Sequence, residues 1–248
     1  MPIIAIGDIH GQSKALADLL AQVLPEIRPK DTLVFLGDYI DRGPDSRGCI
    51  DRIIRLRAEA RFRVVTLLGN HEQWMLRSFN DATKHSWLIG MGALETIRNY
   101  SEEAAHEIAK ALDEYGARLF NMRMVLPYHL LFESMPREHL AFLQQLEPYY
   151  GEPGVVCVHG GFDLAGIVDP LDVNTCVWGP SGFPEEYSGT DAVIYGHHNN
   201  AIVGPGGSVH PCIAANKTYG IDTISHGVLT ALRFPDGMIF QSAKSSIR

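Results

Sequence analysis

"TLVFLGDYIDRG", residues 32–43, joins a very apolar run to two carboxylates and a guanidinium. The apolar run is typical of a buried strand, and ionisable groups at the end of such a strand must be paired, solvated or bound to a ligand. Those groups are Asp38, Asp41 and Arg42. An Asp that follows a strand also commonly caps a turn or the next helix, so this stretch alone leaves both a turn and a binding site open.

The first third of the chain alternates between strand and helix patterns. Three apolar runs are typical of buried strands, at residues 2–6, 32–36 and 61–68. A helix with an apolar face from Ala15 to Val23, which Ser13 is expected to cap, separates the first two runs, and a helix at 46–60 separates the second and third. This alternation predicts parallel strands with right-handed crossovers, and ligands that bind beyond the carboxyl ends of the strands.

Residues 74 to about 150 have a different pattern. Their spacing is mostly helical, most strongly at 101–116, and strand patterns resume at about 154 and continue to 242. A strand-rich second half after β-α-β units implies mixed or antiparallel pairing. We therefore expect an α/β fold, a two-sheet β-sandwich flanked by helices, in a single domain of residues 1–248 with a mostly helical insertion at about 74–150.

Composition narrows the class of protein. The chain has 248 residues, of which 46% are hydrophobic and 20% charged, as in an ordinary globular protein. Its net charge of −8 argues against a broad basic surface, and so against duplex nucleic acid or an anionic membrane as a partner. The four cysteines form no CxxC pair, no signal peptide precedes the first strand, and no apolar run is long enough to cross a bilayer. These features predict a cytoplasmic location.

Five polar clusters each follow an apolar run. They are GDIHG, GDYIDRG, GNHE, HGG and GHH, which begin at residues 7, 37, 69, 159 and 196. Taken singly, an Asp or Asn there can be a turn residue, and a strand-end histidine is more often a hydrogen-bonded residue than a ligand. Five strand ends that deliver such groups to one edge of a sheet would bury many polar groups together, which is costly without a ligand.

The donor types indicate which ligand these clusters suit. Carboxylate, amide and imidazole donors without a thiolate suit manganese, iron, zinc or cobalt, and they do not suggest a structural zinc site. Six donors are too many for one open tetrahedral ion; they suit two ions about 3.5–4 Å apart that share a carboxylate, as in phosphatases and nucleases. Such a pair leaves a local positive charge that can bind phosphate in an otherwise acidic chain.

The motifs GDxHG, GDxxDRG, GNHE, HGG and GH, in this order, resemble those of the metallophosphoesterase (calcineurin-like) superfamily, and specifically its phosphoprotein-phosphatase branch. That branch includes serine/threonine protein phosphatases and bacterial symmetrical diadenosine tetraphosphate hydrolases. The motifs cover residues 7–198, and the stretch at 219–232 resembles the closing strand pair of the family. The resemblance implies a four-layer αββα sandwich that forms one metallophosphoesterase domain.

The resemblance also implies two divalent metal ions, with manganese expected first, and six ligands for them. The implied ligands are Asp8 and His10 for the first ion, Asp38 between the two ions, and Asn70, His159 and His197 for the second.

By the same resemblance, His71 protonates the leaving oxygen, Asp41 orients and charge-stabilises His71, and Arg42 holds phosphate oxygens. The chemistry of these residue types agrees, because a carboxylate partner raises the pKa of a histidine and arginine offers phosphate a forked pair of donors. A metal-bridging hydroxide would attack phosphorus in line, and no covalent phosphoenzyme is needed. Glu72 either fixes a ligand from behind or simply begins the next helix.

The chain departs from the family pattern at two points. Protein phosphatases of this branch have a second phosphate-binding arginine between the HGG and GH motifs, yet no Arg or Lys occurs from Val155 to Asn200. The substitutes to consider for that arginine are Lys217, His198 and His85. The last motif, GHHNN, lacks the GHT-type continuation, and its Asn199 stands where the broader superfamily has a second histidine.

These features predict a metal-dependent phosphatase for phosphomonoesters, similar to phosphoserine/phosphothreonine protein phosphatases. The alternative is a dinucleoside polyphosphate hydrolase, because the region around WLIGMGALETIRNY, residues 87–100, resembles bacterial small phosphatases and tetraphosphatases. Trp74, Trp87 and Tyr100 would then either stack on a base or form the core of the insertion. A phosphate-binding regulator without turnover is a further hypothesis, supported only by the missing arginine. The net charge disfavours a nuclease.

Overall fold

The computed structural model describes residues 2–166 and 172–245. The strands of these residues are β1 (Ile3–Ile6), β2 (Thr32–Phe35), β3 (Arg63–Thr66), β4 (Tyr149–Glu152), β5 (Val155–Val158), β6 (Ala192–Tyr195), β7 (Ile202–Val203), β8 (Val209–His210), β9 (Cys212–Ile213), β10 (Thr218–Gly220), β11 (Thr230–Phe234) and β12 (Met238–Gln241). The α-helices are α1 (Ser13–Val23), α2 (Ser46–Glu59), α3 (Asn70–Asn80), α4 (Ser86–Gly90), α5 (Leu94–Tyr100), α6 (Glu102–Tyr115), α7 (Tyr128–Ser134), α8 (Arg137–Gln144) and α9 (Val173–Trp178).

Most of the strands form two five-stranded sheets. The first sheet has the order β12-β11-β1-β2-β3, and the second has the order β4-β5-β6-β10-β9. In the first, β1, β2 and β3 are parallel, and β11 is antiparallel to β1 and β12. In the second, β5, β6 and β10 are parallel, and β4 and β9 are antiparallel edge strands. The predicted two-sheet α/β fold with mixed pairing is therefore confirmed.

The two sheets face each other across an apolar layer. Ile3 and Ala5 of β1 and Val34 of β2 are buried in it together with Cys157 of β5 and Ile194 of β6. Successive side chains of a strand point to opposite faces, so the alternate residues of the first sheet pack against helices that include α1 and α2. A smaller apolar cluster with Cys176 of α9 covers the outer face of the second sheet. The layers are thus helix, sheet, sheet and helix.

Helix α1 buries the predicted apolar face from Ala15 to Val23. The prediction that Ser13 caps this helix is wrong, because Ser13 is already its first helical residue and makes no capping bond. Its hydroxyl instead donates to Oδ2 of Asp45 at 2.5 Å. Oδ1 of Asp45 caps α2 by accepting the N–H of Gly48 at 2.9 Å. Ser13 therefore links the starts of the two helices.

No named strand lies between β3 and β4 in the described residues, which form α3 to α8 there. The strongest helical pattern, at 101–116, forms α6, and Ser101 caps it by accepting the N–H of Ala104 at 3.1 Å. Side chains from these helices join the same apolar cluster as α1 and α2. Among the helices of the described residues, none has both the length and the apolar character that a membrane span needs.

Candidate metal centre

Each predicted ligand follows the carboxyl end of a parallel strand. Asp8 and His10 follow β1, Asp38 follows β2, Asn70 follows β3, His159 follows β5 and His197 follows β6. Parallel strands present their carboxyl ends on one side of a sheet, and the two sheets are stacked, so the six side chains come together. Five of them are almost completely buried, and His197 is partly buried.

Asp38 lies between two groups of imidazoles. Its Oδ2 is 3.6 Å from Nε2 of His10 and 3.7 Å from Nε2 of His71, while its Oδ1 is 3.4 Å from Nε2 of His159. Ligand atoms of His10, Asp38 and His71 lie within 4.8 Å of one another, and so do those of Asp38, His159 and His197. A carboxylate whose two oxygens face two sets of donors has the geometry of a bridging ligand.

The side-chain amide of Asn70 points to the same place. One of its terminal atoms lies 2.9 Å from Nε2 of His159 and 3.1 Å from Nδ1 of His197. The same atom lies 3.0 Å and 3.1 Å from the two carboxylate oxygens of Asp38. When this atom is the amide oxygen, lone pairs of four side chains face one another, and a cation between them relieves that repulsion.

In two of the histidines, a backbone carbonyl determines which ring nitrogen carries the hydrogen. Nδ1 of His10 donates to the Ile40 carbonyl at 3.1 Å, and Nδ1 of His159 donates to the Leu36 carbonyl at 3.0 Å. Nε2 of each ring therefore keeps a lone pair on the side of Asp38, as in metal-binding histidines whose other nitrogen is held by a carbonyl. Burial lowers the pKa of both rings, and neighbouring histidines lower it further, which favours the neutral imidazole in both.

Asp8 is held by the backbone that follows β6. Its Oδ2 and Oδ1 accept the N–H of His197 at 3.0 Å and 3.2 Å, and Oδ1 is 4.0 Å from Nδ1 of His159. Gly196 permits this approach, because a Cβ there would lie 2.1 Å from Oδ1 of Asp8. Asp8 belongs to neither of the two groups of atoms that converge within 4.8 Å. The structure thus brings Asp8 beside the centre, next to the second group of donors.

The backbone is strained at the predicted site. In the described residues, the non-glycine residues with positive φ are Lys217 and five predicted site residues, His10, Asp38, Asp41, Arg42 and His197. Such a conformation costs on the order of 1–3 kcal/mol per residue and persists only where the surroundings enforce it. The fold therefore holds these five side chains in directions that a relaxed loop would not give them.

Electrostatics favour positive charge at this place. Burial raises the pKa of Asp8 and of Asp38; Asp222 raises that of Asp8 further, and Asp8 and Glu72 raise that of Asp38 further. Burial, with His198 and His71, lowers the pKa of His197 to about 3. Mutually repelling carboxylates beside neutral imidazoles fit divalent cations, which need deprotonated ligands and remove the repulsion.

His71 and Asp41 form the buried pair that the sequence predicted. Nδ1 of His71 donates to Oδ2 of Asp41 at 2.7 Å, and Nε2 of His71 faces Asp38. The same Oδ2 accepts the indole N–H of Trp87 at 2.7 Å, and Oδ1 accepts the hydroxyl of Thr96 at 2.6 Å. Asp41 thus holds His71 with its second nitrogen directed at the centre. Sequence reasoning did not find the roles of Trp87 and Thr96.

The sequence predicted that the carboxylate of Asp41 raises the pKa of His71. In the structure, the pKa of His71 is lowered instead. Burial lowers the pKa of His71, and the guanidinium of Arg42 lowers it further. Burial also raises the pKa of Asp41 to about 7, although the hydrogen bonds from Thr96 and Trp87 oppose that rise. Removal of both groups from water outweighs the attraction between them, which favours the neutral form of each.

A family model for calcineurin-like phosphoesterases matches residues 1–201 of the chain. The chain belongs to this family. It is therefore a phosphoesterase, a hydrolase, of a metal-dependent family.

Relatives of this calcineurin-like phosphoesterase carry two kinds of name. The asymmetrical bis(5'-nucleosyl)-tetraphosphatase PrpE of Bacillus mycoides is 26% identical over 93% of the chain and 89% of its own length. Serine/threonine-protein phosphatase 2 of Escherichia coli is 38% identical, over 40% of the chain and 42% of its own length. A solved structure named as a candidate diadenosine tetraphosphatase has the same fold, with a TM-score of 0.60 at 21% identity, over 97% of this chain and 92% of that one.

Arg42 reaches the centre of this phosphoesterase from the loop after β2. Its Nη1 lies 2.9 Å from Nε2 of His10, and its Nη2 lies 3.2 Å from Nε2 of His71. The residue is otherwise exposed to solvent. Arg42 therefore holds its forked donors beside Nε2 of His10 and Nε2 of His71, at a place that phosphate oxygens can reach from solvent.

Both interpretations of Glu72 that the sequence left open apply. Glu72 lies in the first turn of α3, and it also fixes the loop that follows β2. Its Oε2 accepts the N–H of Asp38 at 3.0 Å, and its Oε1 accepts those of Tyr39 and Ile40 at 2.8 Å and 3.2 Å. This buried carboxylate thus holds the loop that carries Asp38.

Asp222 is a further carboxylate at the same edge that sequence reasoning assigned only to a closing strand pair. It follows β10, which is parallel to β6, and it is buried. Burial raises its pKa to about 7, and it raises the pKa of Asp8. The signal that could have found it is the one used for Asp8 and Asp38, an Asp directly after a parallel strand.

The three suggested substitutes for the second arginine lie in different places. The ring of His198 is 4.2 Å from that of His197, so it lies beside the centre. Nζ of Lys217 donates to the carbonyl of Thr190 at 2.8 Å, away from the ligand set. His85 is buried, and its two nitrogens face Tyr128 and the Met124 carbonyl.

The three aromatic residues considered for base stacking differ in their burial. Trp87 and Tyr100 are buried, so the interpretation of these two as core residues is confirmed. Trp74 is partly buried and packs against Trp178 with 4.9 Å between ring centroids, and Trp178 packs against His197 at 5.6 Å. Trp74 thus lies one aromatic ring away from a predicted ligand.

Proposed function

We propose that this chain is a two-metal phosphatase for phosphomonoesters, with phosphoserine and phosphothreonine in proteins as its favoured substrates. The observation that supports two ions is the position of Asp38, whose oxygens face His10 and His71 on one side and His159 on the other. Manganese is proposed first, with iron, zinc or cobalt as alternatives.

The proposed ligand set is the one that the resemblance implied. Asp8 and His10 would hold one ion, Asp38 would hold both, and Asn70, His159 and His197 would hold the other. When bound, the two cations would lower the pKa of a water that they share and so supply the nucleophile.

Three further residues would handle the phosphate and the leaving group. Arg42 would grip phosphate oxygens with its forked donors, and the phosphorus–oxygen ester bond would break on the side opposite the attack. Nε2 of His71 would give its proton to the departing oxygen, while Asp41 keeps Nδ1 of His71 fixed at 2.7 Å. A bound phosphate dianion would offset the charge of Arg42, which lowers the pKa of His71, and so would favour the protonated imidazole.

We also propose that residues 1–248 form one metallophosphoesterase domain, with residues 74 to about 150 as its helical insertion. A cytoplasmic location is supported by the four cysteines, all of which are free.

The proposal is tested by hydrolysis of a phosphoserine peptide, p-nitrophenyl phosphate and diadenosine tetraphosphate, after chelation and again after addition of manganese. We expect no turnover after chelation and restored turnover of the peptide and of p-nitrophenyl phosphate with manganese. The Asp38→Asn variant should remain folded and inactive under all conditions. Full activity in chelator, or in this variant, would contradict the two-metal mechanism.

A second candidate is hydrolysis of a dinucleoside tetraphosphate. The observation that favours it is the length of the match to the Bacillus mycoides tetraphosphatase, which covers 93% of this chain, against 40% for the Escherichia coli protein phosphatase. In the substrate panel this function would appear as a kcat/KM for diadenosine tetraphosphate well above that for the phosphopeptide.

A further inference from the structure

A cavity lies beyond the candidate metal centre, between α3 and the start of α4. It has a volume of about 530 Å³. Its lining residues are Trp74, Arg77, Asn80, Asp81, Lys84 and Ser86. A second cavity of about 290 Å³ shares Lys84 and Ser86 with it and adds Arg123. We call the larger cavity the α3 pocket.

The α3 pocket and the candidate metal centre are lined by the same face of helix α3. Asn70, Trp74 and Arg77 are related by steps of four and three residues, so they lie on one face of α3. Arg77 comes seven residues after Asn70, which is about 10 Å along the helix axis. Between them, Trp74 packs on Trp178, which in turn packs on His197.

The α3 pocket carries excess positive charge in a chain whose net charge is −8. Within residues 2–166 and 172–245, neither Arg77 nor Lys84 forms an ion pair. The lining carboxylate, Asp81, accepts the N–H and the hydroxyl of Thr83 at 3.0 Å and 2.7 Å, and these bonds, with the charges of Lys84 and Arg123, lower its pKa. Arg77 and Lys84 against Asp81 leave the lining with one positive charge in excess. Nη2 of Arg77 donates to Oδ1 of Asn174 at 3.5 Å, and the described residues offer this guanidinium no other hydrogen-bond acceptor.

The surroundings of Trp74 indicate what kind of group enters the pocket. Its ring already packs against Trp178, and its Cζ3 edge lies beside Gly90, where a Cβ would be 3.3 Å away. A nucleotide base would need a free aromatic face to stack on. The two lining cations, Arg77 and Lys84, favour an acidic oxygen group over a base.

We propose that the α3 pocket binds an acidic side chain of a phosphopeptide, about three residues away from the phosphorylated residue. The spacing follows from the separation of about 10 Å, because an extended peptide advances about 3.3 Å per residue. This specificity rests on the proposed phosphatase function, and it supplies a second anchor in a chain that lacks the family's second arginine.

The test compares phosphoserine peptides that carry Asp or Ala three residues before or after the phosphoserine. The wild-type protein with manganese should have a kcat/KM about tenfold higher for one of the Asp peptides than for its Ala counterpart, the range expected of one charge-assisted contact. In Arg77→Glu and Lys84→Glu this preference should disappear or reverse, while turnover of p-nitrophenyl phosphate stays unchanged. Lys110→Glu, the same charge change at an exposed position of α6, should keep the wild-type preference.

An equal preference for the Asp peptide in the wild type and in both pocket variants would overturn the proposal. So would a loss confined to diadenosine tetraphosphate with the peptides unaffected, because the occupant would then be a nucleotide polyphosphate. If the wild type hydrolyses nothing, the proposed function fails separately. Calorimetric binding of the same peptides then tests the pocket, with tighter binding of an Asp peptide supporting it and equal binding of both overturning it.

Discussion

The indole N–H of Trp87 donates to Oδ2 of Asp41 at 2.7 Å, on the oxygen that also accepts Nδ1–H of His71. Trp87 lies on α4, and Thr96, which donates to the other oxygen of Asp41, lies on α5. All four side chains are completely buried. The helical segment between β3 and β4 therefore completes the surroundings of a carboxylate that belongs to the sheet edge.

We expect Trp87→Phe to lower kcat mainly for substrates with poor leaving groups. The change removes one donor from Asp41 and loosens its hold on His71, and the loss of one buried hydrogen bond costs about 1.5 kcal/mol, or roughly tenfold in rate. A serine alkoxide needs the proton of His71 and p-nitrophenolate hardly does, so kcat should fall on the phosphopeptide and much less on p-nitrophenyl phosphate.

Tyr187→Phe is the matched control, because it removes a hydrogen bond to the Asp191 carbonyl far from the ligand set. It should leave both rates unchanged. An equal fall on both substrates in Trp87→Phe would mean that Trp87 only supports the fold.

Manganese should raise the unfolding temperature of the wild-type protein. Burial and Asp222 raise the pKa of Asp8, burial and Asp8 raise that of Asp38, and cations would relieve this repulsion between carboxylates only in the folded state. Ligand at about 100 times its Kd stabilises by about 2.7 kcal/mol, or roughly 5–10 °C for a chain of this size. Scanning calorimetry with and without manganese measures the shift, which Asp38→Ala should lose. A full shift in that variant would place the bound ion elsewhere.

The sequence predicts the fold, and the side of the sheets on which the polar clusters meet, because both follow from local periodicity. Apolar runs identify β1, β2 and β3, and parallel strands must then bring Asp8 and Asp38 to one edge. The contacts of Asp41 with Trp87 and Thr96 span 46 and 55 residues and depend on how the helices pack, which no local pattern gives. The lowered pKa of His71 likewise depends on burial and on the position of Arg42, which only the three-dimensional structure provides.

Glu72→Ala should destabilise the protein more than an ordinary surface change. The Glu72 carboxylate accepts three backbone N–H groups of the loop that carries Asp38, and a buried donor left without a partner costs about 1–3 kcal/mol. We therefore expect a loss of at least about 3 kcal/mol in the free energy of unfolding, measured in urea. Glu72→Gln retains one acceptor oxygen and should lose less.

Glu103→Ala, on the exposed side of α6, is the control for that measurement and should change stability little. A Glu72→Ala protein as stable as this control would show that water takes over the three N–H groups.

Gly196→Ala should damage activity through Asp8 without removing any ligand. A Cβ at this position would lie 2.1 Å from Oδ1 of Asp8, so the carboxylate or the loop must move by more than 1 Å. A displacement of that size at a reacting centre can cost about 100-fold in rate, and we expect a fall of that order in kcat. Gly151→Ala, where the nearest atoms lie 3.9 Å or more from the added Cβ, should keep wild-type kcat.

Manganese affinity, measured by calorimetry, should fall together with kcat in Gly196→Ala, because Asp8 is a proposed ligand. Wild-type kcat and affinity in that variant would exclude Asp8 from the ligand set, since the new methyl group cannot coexist with the present position of its carboxylate.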